Sequence, residues 1–130
     1  MGYGANLSIK NISNVDITVT VPYQSCMYDN GDDGSYLCNY DNLVIPASTN
    51  YPATGSTYIE AKASGDCFFT PSYFNINIMG GGYMDGGVTC YFTETDDSYT
   101  CQCDIAFVDA YISPAGSTDT IVITVGNPWY

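Results

Sequence analysis

The sequence predicts an all-β fold: a single-domain antiparallel β-sandwich of jelly-roll or Greek-key type over residues 1–130. Three observations carry that expectation. The branched aliphatics are 11 Ile and 8 Val against 3 Leu, and 13 tyrosines add to a pool that suits a pleated surface. Apolar residues recur at every second position in run after run, and clusters of Gly, Pro, Asn, Asp and Ser separate the runs at short spacings. Such spacing predicts about seven to nine strands. Good helix formers are scarce, and no window carries a convincing helical period.

The elements follow in order. Leu7 and Ile9 open a first run that ends at Asn11, with Ser13-Asn14 as the turn. Val15, Ile17, Val19 and Val21 alternate with Asp16, Thr18 and Thr20, as a strand with one wet face does. Ile59, Ala61 and Ala63 alternate with Tyr58, Glu60 and Lys62, and Phe74, Ile76 and Ile78 with Asn75 and Asn77. Val88 to Cys103 reads as a hairpin turning at Asp96-Asp97. Asp104–Ile112 reads as a strand buried on both faces, and Ile121, Ile123 and Val125 form the inward set of the last strand. The expected loops are Asp29–Ser35, Pro46–Ser56, Ser64–Asp66, Gly80–Gly87, Thr95–Ser98 and Ser113–Asp119.

Charge excludes several function classes. Two basic residues, Lys10 and Lys62, face 14 acidic ones for a net charge of -12. Nucleic acid and anionic lipid both demand a Lys/Arg surface that this chain cannot assemble. Without histidine there is no imidazole base, no imidazole metal site and no Ser-His or Cys-His nucleophile. Only Glu60 and Glu94 are glutamates, and the 12 aspartates crowd the turns, so no carboxylate pair is fixed for glycoside hydrolysis. The expectation is a protein that is not an enzyme. No apolar stretch approaches a membrane span, and residues 1–20 show neither the basic nor the apolar region of a secretory leader.

Six cysteines, Cys26, Cys38, Cys67, Cys90, Cys101 and Cys103, predict three disulfides and an oxidising environment, extracellular or on a particle surface. Zinc is disfavoured, because no Cys-x-x-Cys pair and no histidine is present. Cys26 and Cys38 flank the acidic loop and are expected to staple its base. With a two-residue turn at Asp96-Asp97, Cys90 faces Cys103; a loop longer by two moves it opposite Cys101. Cys67 takes the remaining sulfur.

Four further sets of residues are candidates for function. Asp29, Asp32, Asp33 and Asp41 form the densest group of oxygen ligands and are candidates for calcium, although Gly31 and the missing closing Glu break the EF-hand spacing. No cofactor is required. Tyr36, Tyr40 and Tyr51 are the candidate recognition surface, since tyrosine offers a flat apolar face with a hydroxyl. Asn6-Leu7-Ser8 and Asn11-Ile12-Ser13 match the glycosylation sequon, which marks Asn6 and Asn11 as candidate acceptors. Met79–Gly87 is glycine-rich but lacks the Lys-Ser/Thr ending of a phosphate loop.

Asn11–Val21, then Asn39-Tyr40-Asp41 leading to Val44-Ile45-Pro46, then Ile59–Gly65 and Phe74–Ile78, resemble the aegerolysins, over roughly the first 80 residues. The resemblance implies a small acidic β-sandwich that binds membrane lipids, in some members as part of a pore-forming or insecticidal pair. The chain departs from that family's tryptophan-rich second half, having Trp129 alone.

Two functions stand in front. One is a structural subunit of an extracellular fibre, coat or capsid, which self-assembles through strand edges and tyrosine-rich surfaces, with residues 5–21 or 119–130 as the donor strand. The alternative is a binding module for glycan or lipid head groups, lectin-like or aegerolysin-like, possible also as a toxin component.

Overall fold

The computed structural model describes residues 3–80, 84–103, 108–115 and 118–126. Residues 81–83 of the expected Gly80–Gly87 loop, residues 104–107, residues 116–117 of the expected Ser113–Asp119 loop, and Trp129 lie outside the described residues. Among the described residues the fold is all-β, with two sheets and three short 3₁₀ turns.

Eleven strands form among the described residues. They are β1 (Gly4–Asn11), β2 (Ile17–Ser25), β3 (Met27–Tyr28), β4 (Leu43–Ile45), β5 (Thr49–Tyr51), β6 (Thr57–Ala61), β7 (Ser72–Gly80), β8 (Met84–Thr95), β9 (Ser98–Gln102), β10 (Val108–Ala115) and β11 (Thr118–Val125). The count exceeds the expected seven to nine because β3, β4 and β5 have only 2, 3 and 3 residues. Strands that short show no alternation, and β5 falls inside the segment read as the loop Pro46–Ser56.

The first sheet runs β10-β11-β1-β6-β3, with β5 also paired to β1; the second runs β4-β2-β7-β8-β9. The expected all-antiparallel arrangement is corrected at one place. β1 and β11 pair in parallel, from Gly4 opposite Thr118 to Asn11 opposite Val125. A parallel pair needs a long crossover, and here nearly the whole chain supplies it.

The inward positions of both sheets meet in one apolar cluster that includes Leu7, Ile9, Ile17, Val19, Ile59, Phe74, Ile76, Ile78, Phe92, Ile121 and Ile123. Phe74 and Phe92 stack at its centre, with centroids 4.7 Å apart. Tyr99 on β9 ties the sheets together. Its hydroxyl donates to the Tyr3 carbonyl at 2.7 Å, and its amide donates to the buried carboxylate of Asp119 at 2.9 Å. β10 is wet on one face, with Asp109 and Tyr111 exposed, so residues 108–112 of the expected Asp104–Ile112 strand are not buried on both faces; residues 104–107 of it lie outside the described residues.

The sequon residue Asn11 is a second fastener. It is buried, and its side-chain amide donates to the carbonyls of Val15, Ile45 and Pro46 at 2.8, 3.1 and 3.1 Å. Its oxygen accepts from the Ser13 amide and hydroxyl at 3.1 and 2.6 Å. Gly126 backs this corner at φ +120, and a Cβ there would lie 2.8 Å from the Ser13 amide nitrogen. The Asn11 nitrogen is therefore committed to the fold, and its reading as a glycosylation acceptor is corrected. Asn11→Ala strands several buried polar groups and is expected to cost about 3 kcal/mol, read as a lower urea midpoint at unchanged slope.

Candidate functional site

The sequence-predicted residues do not gather into one site. The tyrosine set divides. Tyr36 is exposed and Tyr51 half-buried, but Tyr40 is fully buried and donates its hydroxyl to the Leu7 carbonyl at 2.6 Å. Burial raises its pKa well above the usual tyrosine value. Tyr40 packs edge-on against Tyr51 at 5.4 Å and belongs to the core rather than to a recognition surface. The missed signal is a period of three: Leu37 and Tyr40 share one side of a 3₁₀ turn, and both are buried.

The acidic loop does not form a carboxylate cage. Among the described residues, no three of Asp29, Asp32, Asp33 and Asp41 bring carboxylate oxygens within 4.8 Å of one another. Asp41 instead accepts the Val21 amide at 3.0 Å, and the Asp29 carbonyl accepts the Cys38 amide at 3.1 Å. Asn6 is half-buried in the middle of β1, between β11 and β6.

Two disulfides form, not three. Cys90–Cys103 is the pair that a two-residue turn demands. Asp96 and Asp97 make that turn at φ 50 and 59, between the paired residues Thr95 and Ser98. Cys26 joins Cys67 instead of Cys38, at a Cα separation of 5.7 Å. The pairing of β3 with β6 sets the Cys26 carbonyl against the Lys62 amide at 2.7 Å, and the following 3₁₀ turn brings Cys67 back to it. Cys38 and Cys101 are free thiols. The Cys101 sulfur lies 3.5 Å from that of Cys103, but burial, with Asp109 adding to it, pushes its pKa up to about 12. A thiol so seldom ionised is a poor nucleophile; the sulfurs of Cys90, Cys101 and Cys103 lie within 4.8 Å of one another, two of them joined as the disulfide.

One cleft, about 440 Å³, lies between Phe68, Phe69 and the turn from Glu94 to Asp97. Burial raises the Glu94 pKa, and the Glu94 carboxylate accepts the Asp97 amide at 3.0 Å. That carboxylate is spent in bracing the turn.

The outer face of the second sheet is different in kind. Its described outward residues are Thr18, Thr20, Tyr23 and Ser25 on β2, Val44 on β4, Tyr73, Asn75, Asn77 and Met79 on β7, Thr89, Tyr91, Thr93 and Thr95 on β8, and Ser98, Thr100 and Gln102 on β9. None is an acid or a base, in a chain of net charge -12. Tyr23, Tyr91 and Tyr73 are 55%, 50% and 39% exposed.

Register places these side chains in rows across the strands. Tyr23 pairs with Asn75, Asn75 with Tyr91, and Tyr91 with Gln102. The next row is Ser25, Tyr73, Thr93 and Thr100, and the one on the other side holds Thr20, Asn77 and Thr89. In that third row the Asn77 amide donates to the Thr89 hydroxyl at 2.9 Å. A bulge in β2 makes the first row possible. The register shifts between Thr20 and Tyr23, so Val21 and Pro22 together oppose Ile76. Without the extra residue Tyr23 would turn inward, and Pro22, lacking an N–H, suits the break in the ladder.

At the β2 end of the first row the surface drops into a cleft of about 310 Å³ lined by Val21, Pro22, Tyr23, Gln24, Asp29, Cys38 and Asp41. No protein-family model and no curated protein matches the chain.

Proposed function

We propose that the protein is a non-enzymatic glycan-binding module of the extracellular space, built as a β-sandwich and held by its two disulfides. The observation that carries this reading is the outer face of the second sheet, whose described outward residues carry no charge and set three exposed tyrosines among Asn, Gln, Ser and Thr. Tyrosine faces stack on the apolar side of a sugar ring, while amides and hydroxyls exchange hydrogen bonds with its hydroxyls. A neutral ligand also escapes the repulsion or attraction that net -12 imposes on an ionic one. The mixture of tyrosine with small polar residues is that of an adaptable recognition surface. Permanent self-contacts are more apolar. Disulfides suit an oxidising compartment, and among the described residues no helix is long and apolar enough to cross a membrane.

A glycan array tests the reading. Wild-type protein is expected to bind saturably, and a Tyr23→Ala/Tyr73→Ala/Tyr91→Ala variant to lose that binding with an unchanged far-ultraviolet spectrum. Folded wild-type protein that binds no glycan on the array would sink it.

One observation favours a second reading, a self-assembling structural subunit of a fibre, coat or capsid. Strand β10 lies at the edge of the first sheet with eight residues, among which Asp109 is the one charge. A long edge with so little charge is a template for strand addition. In sedimentation it predicts polymers that Tyr111→Lys disperses; a monomer at high concentration removes it.

A further inference from the structure

From the alignment of the rows we infer that the ligand is a linear, uncharged polysaccharide lying across the strands, over Gln102, Tyr91, Asn75 and Tyr23 and on into the cleft at Asp29 and Asp41. This rests on the glycan-binding reading and sharpens it. Tyr91 and Tyr23 stand in one row on β8 and β2, two inter-strand steps apart with β7 between them, which is about 9.5 Å. Each ring of an extended pyranose chain with equatorial linkages advances the chain by roughly one such step. Alternate rings therefore fall on Tyr91 and Tyr23, and the ring between them lies over Asn75, whose amide can both donate and accept.

The ends of the row differ. At β9 it runs out at exposed Gln102. At β2 it meets the cleft, where Gln24, Asp29 and Asp41 replace the flat platform with hydrogen-bonding walls. Ionised carboxylates accept from sugar hydroxyls more strongly than neutral groups do. The chain is thus held by stacking along the sheet and by hydrogen bonds at one end. The flat part excludes a ligand with charged rings, because no basic residue is available there to receive an anionic sugar. Branches at successive rings would collide with the neighbouring row at Tyr73.

A size ladder of β-1,4-linked glucose and N-acetylglucosamine oligomers, titrated by calorimetry, tests the geometry. Affinity is expected to climb with each added ring until the row and the cleft are filled, and then to level off. Tyr23→Ala and Tyr91→Ala should each weaken a long oligomer about tenfold. Asp41→Asn should weaken long oligomers while leaving the shortest that bind unchanged. Affinity independent of length, or preference for a branched or charged glycan on the array, would overturn this inference and leave the glycan-binding reading standing. Absence of any glycan binding would take both. Concentration-dependent dimerisation abolished by Tyr23→Ala would assign the face to a second copy of the chain and overturn both as well.

Discussion

Raising the pH toward 12 is expected to unfold the protein in a cooperative step that begins near pH 10. Burial pushes Tyr40 and Tyr99 well above the ordinary tyrosine pKa of 10.0, and the Tyr99 hydroxyl is further raised by the nearby Glu94 carboxylate. Burial, followed by the hydrogen bond to Glu60, lifts Tyr58 to about 12, and burial lifts Cys101 to about 12 from 9.0. Each of these groups holds its proton in the folded chain after the unfolded chain has released it. Between the two pKa values the unfolded state binds fewer protons, so stability falls as pH rises. By pH 12 each of Tyr40 and Tyr99 alone removes about 2–3 kcal/mol. Together they remove about 5 kcal/mol, the whole stability of a marginal domain. Tyrosinate absorbance should therefore contain a step that coincides with loss of the β circular-dichroism signal. Tyr99→Phe should reduce the slope of stability against pH above pH 10 by about 1.4 kcal/mol per unit. A smooth titration through pH 12 with the β signal intact would contradict the burial of these hydroxyls.

What was legible in the sequence follows from how local its causes are. Alternation in Ile17 and Val19, in Phe74, Ile76 and Ile78, and in Ile121, Ile123 and Val125 comes from the pleat itself, and all of these residues are buried as expected. The hairpin at Asp96-Asp97 is equally local, and with it the register that sets Cys90 opposite Cys103. The parallel pairing of β1 with β11 leaves no mark within either strand, because it joins the two ends of the chain. Cys38 looked like the partner of Cys26 through nearness in sequence, whereas a two-residue strand on β6 decides for Cys67. Tyr40 carries the composition of a surface residue and the position of a core one. The tyrosine face was missed, the recognition reading having fallen on Tyr36, Tyr40 and Tyr51. Its wet positions alternate plainly, yet the alignment of Tyr23 with Tyr91 depends on a β2 bulge and on the registers of three strands.

Breaking Cys26–Cys67 by Cys26→Ala/Cys67→Ala is expected to cost about 4 kcal/mol, and breaking Cys90–Cys103 by the corresponding pair about 3 kcal/mol in chain entropy. The difference comes from the closed loops, since the bonded residues are 41 apart in the first case and 13 in the second. The shorter loop is also closed by the β8–β9 ladder and its turn, whereas only the two-residue strand β3 and its neighbours hold the end of β2 near β6. The bond matters for the face as well as for stability. Cys26 directly follows Ser25, the last residue of β2, and so anchors the strand that carries Tyr23. At a temperature where both variants are folded, loss of the first disulfide should therefore weaken long oligosaccharides, and loss of the second should not. Urea midpoints in the reverse order by more than the uncertainty of the extrapolation would defeat the loop-length account. Thiol titration after unfolding without reductant should find two thiols per chain, Cys38 and Cys101; none would mean a third bond, and six would mean that no staple exists.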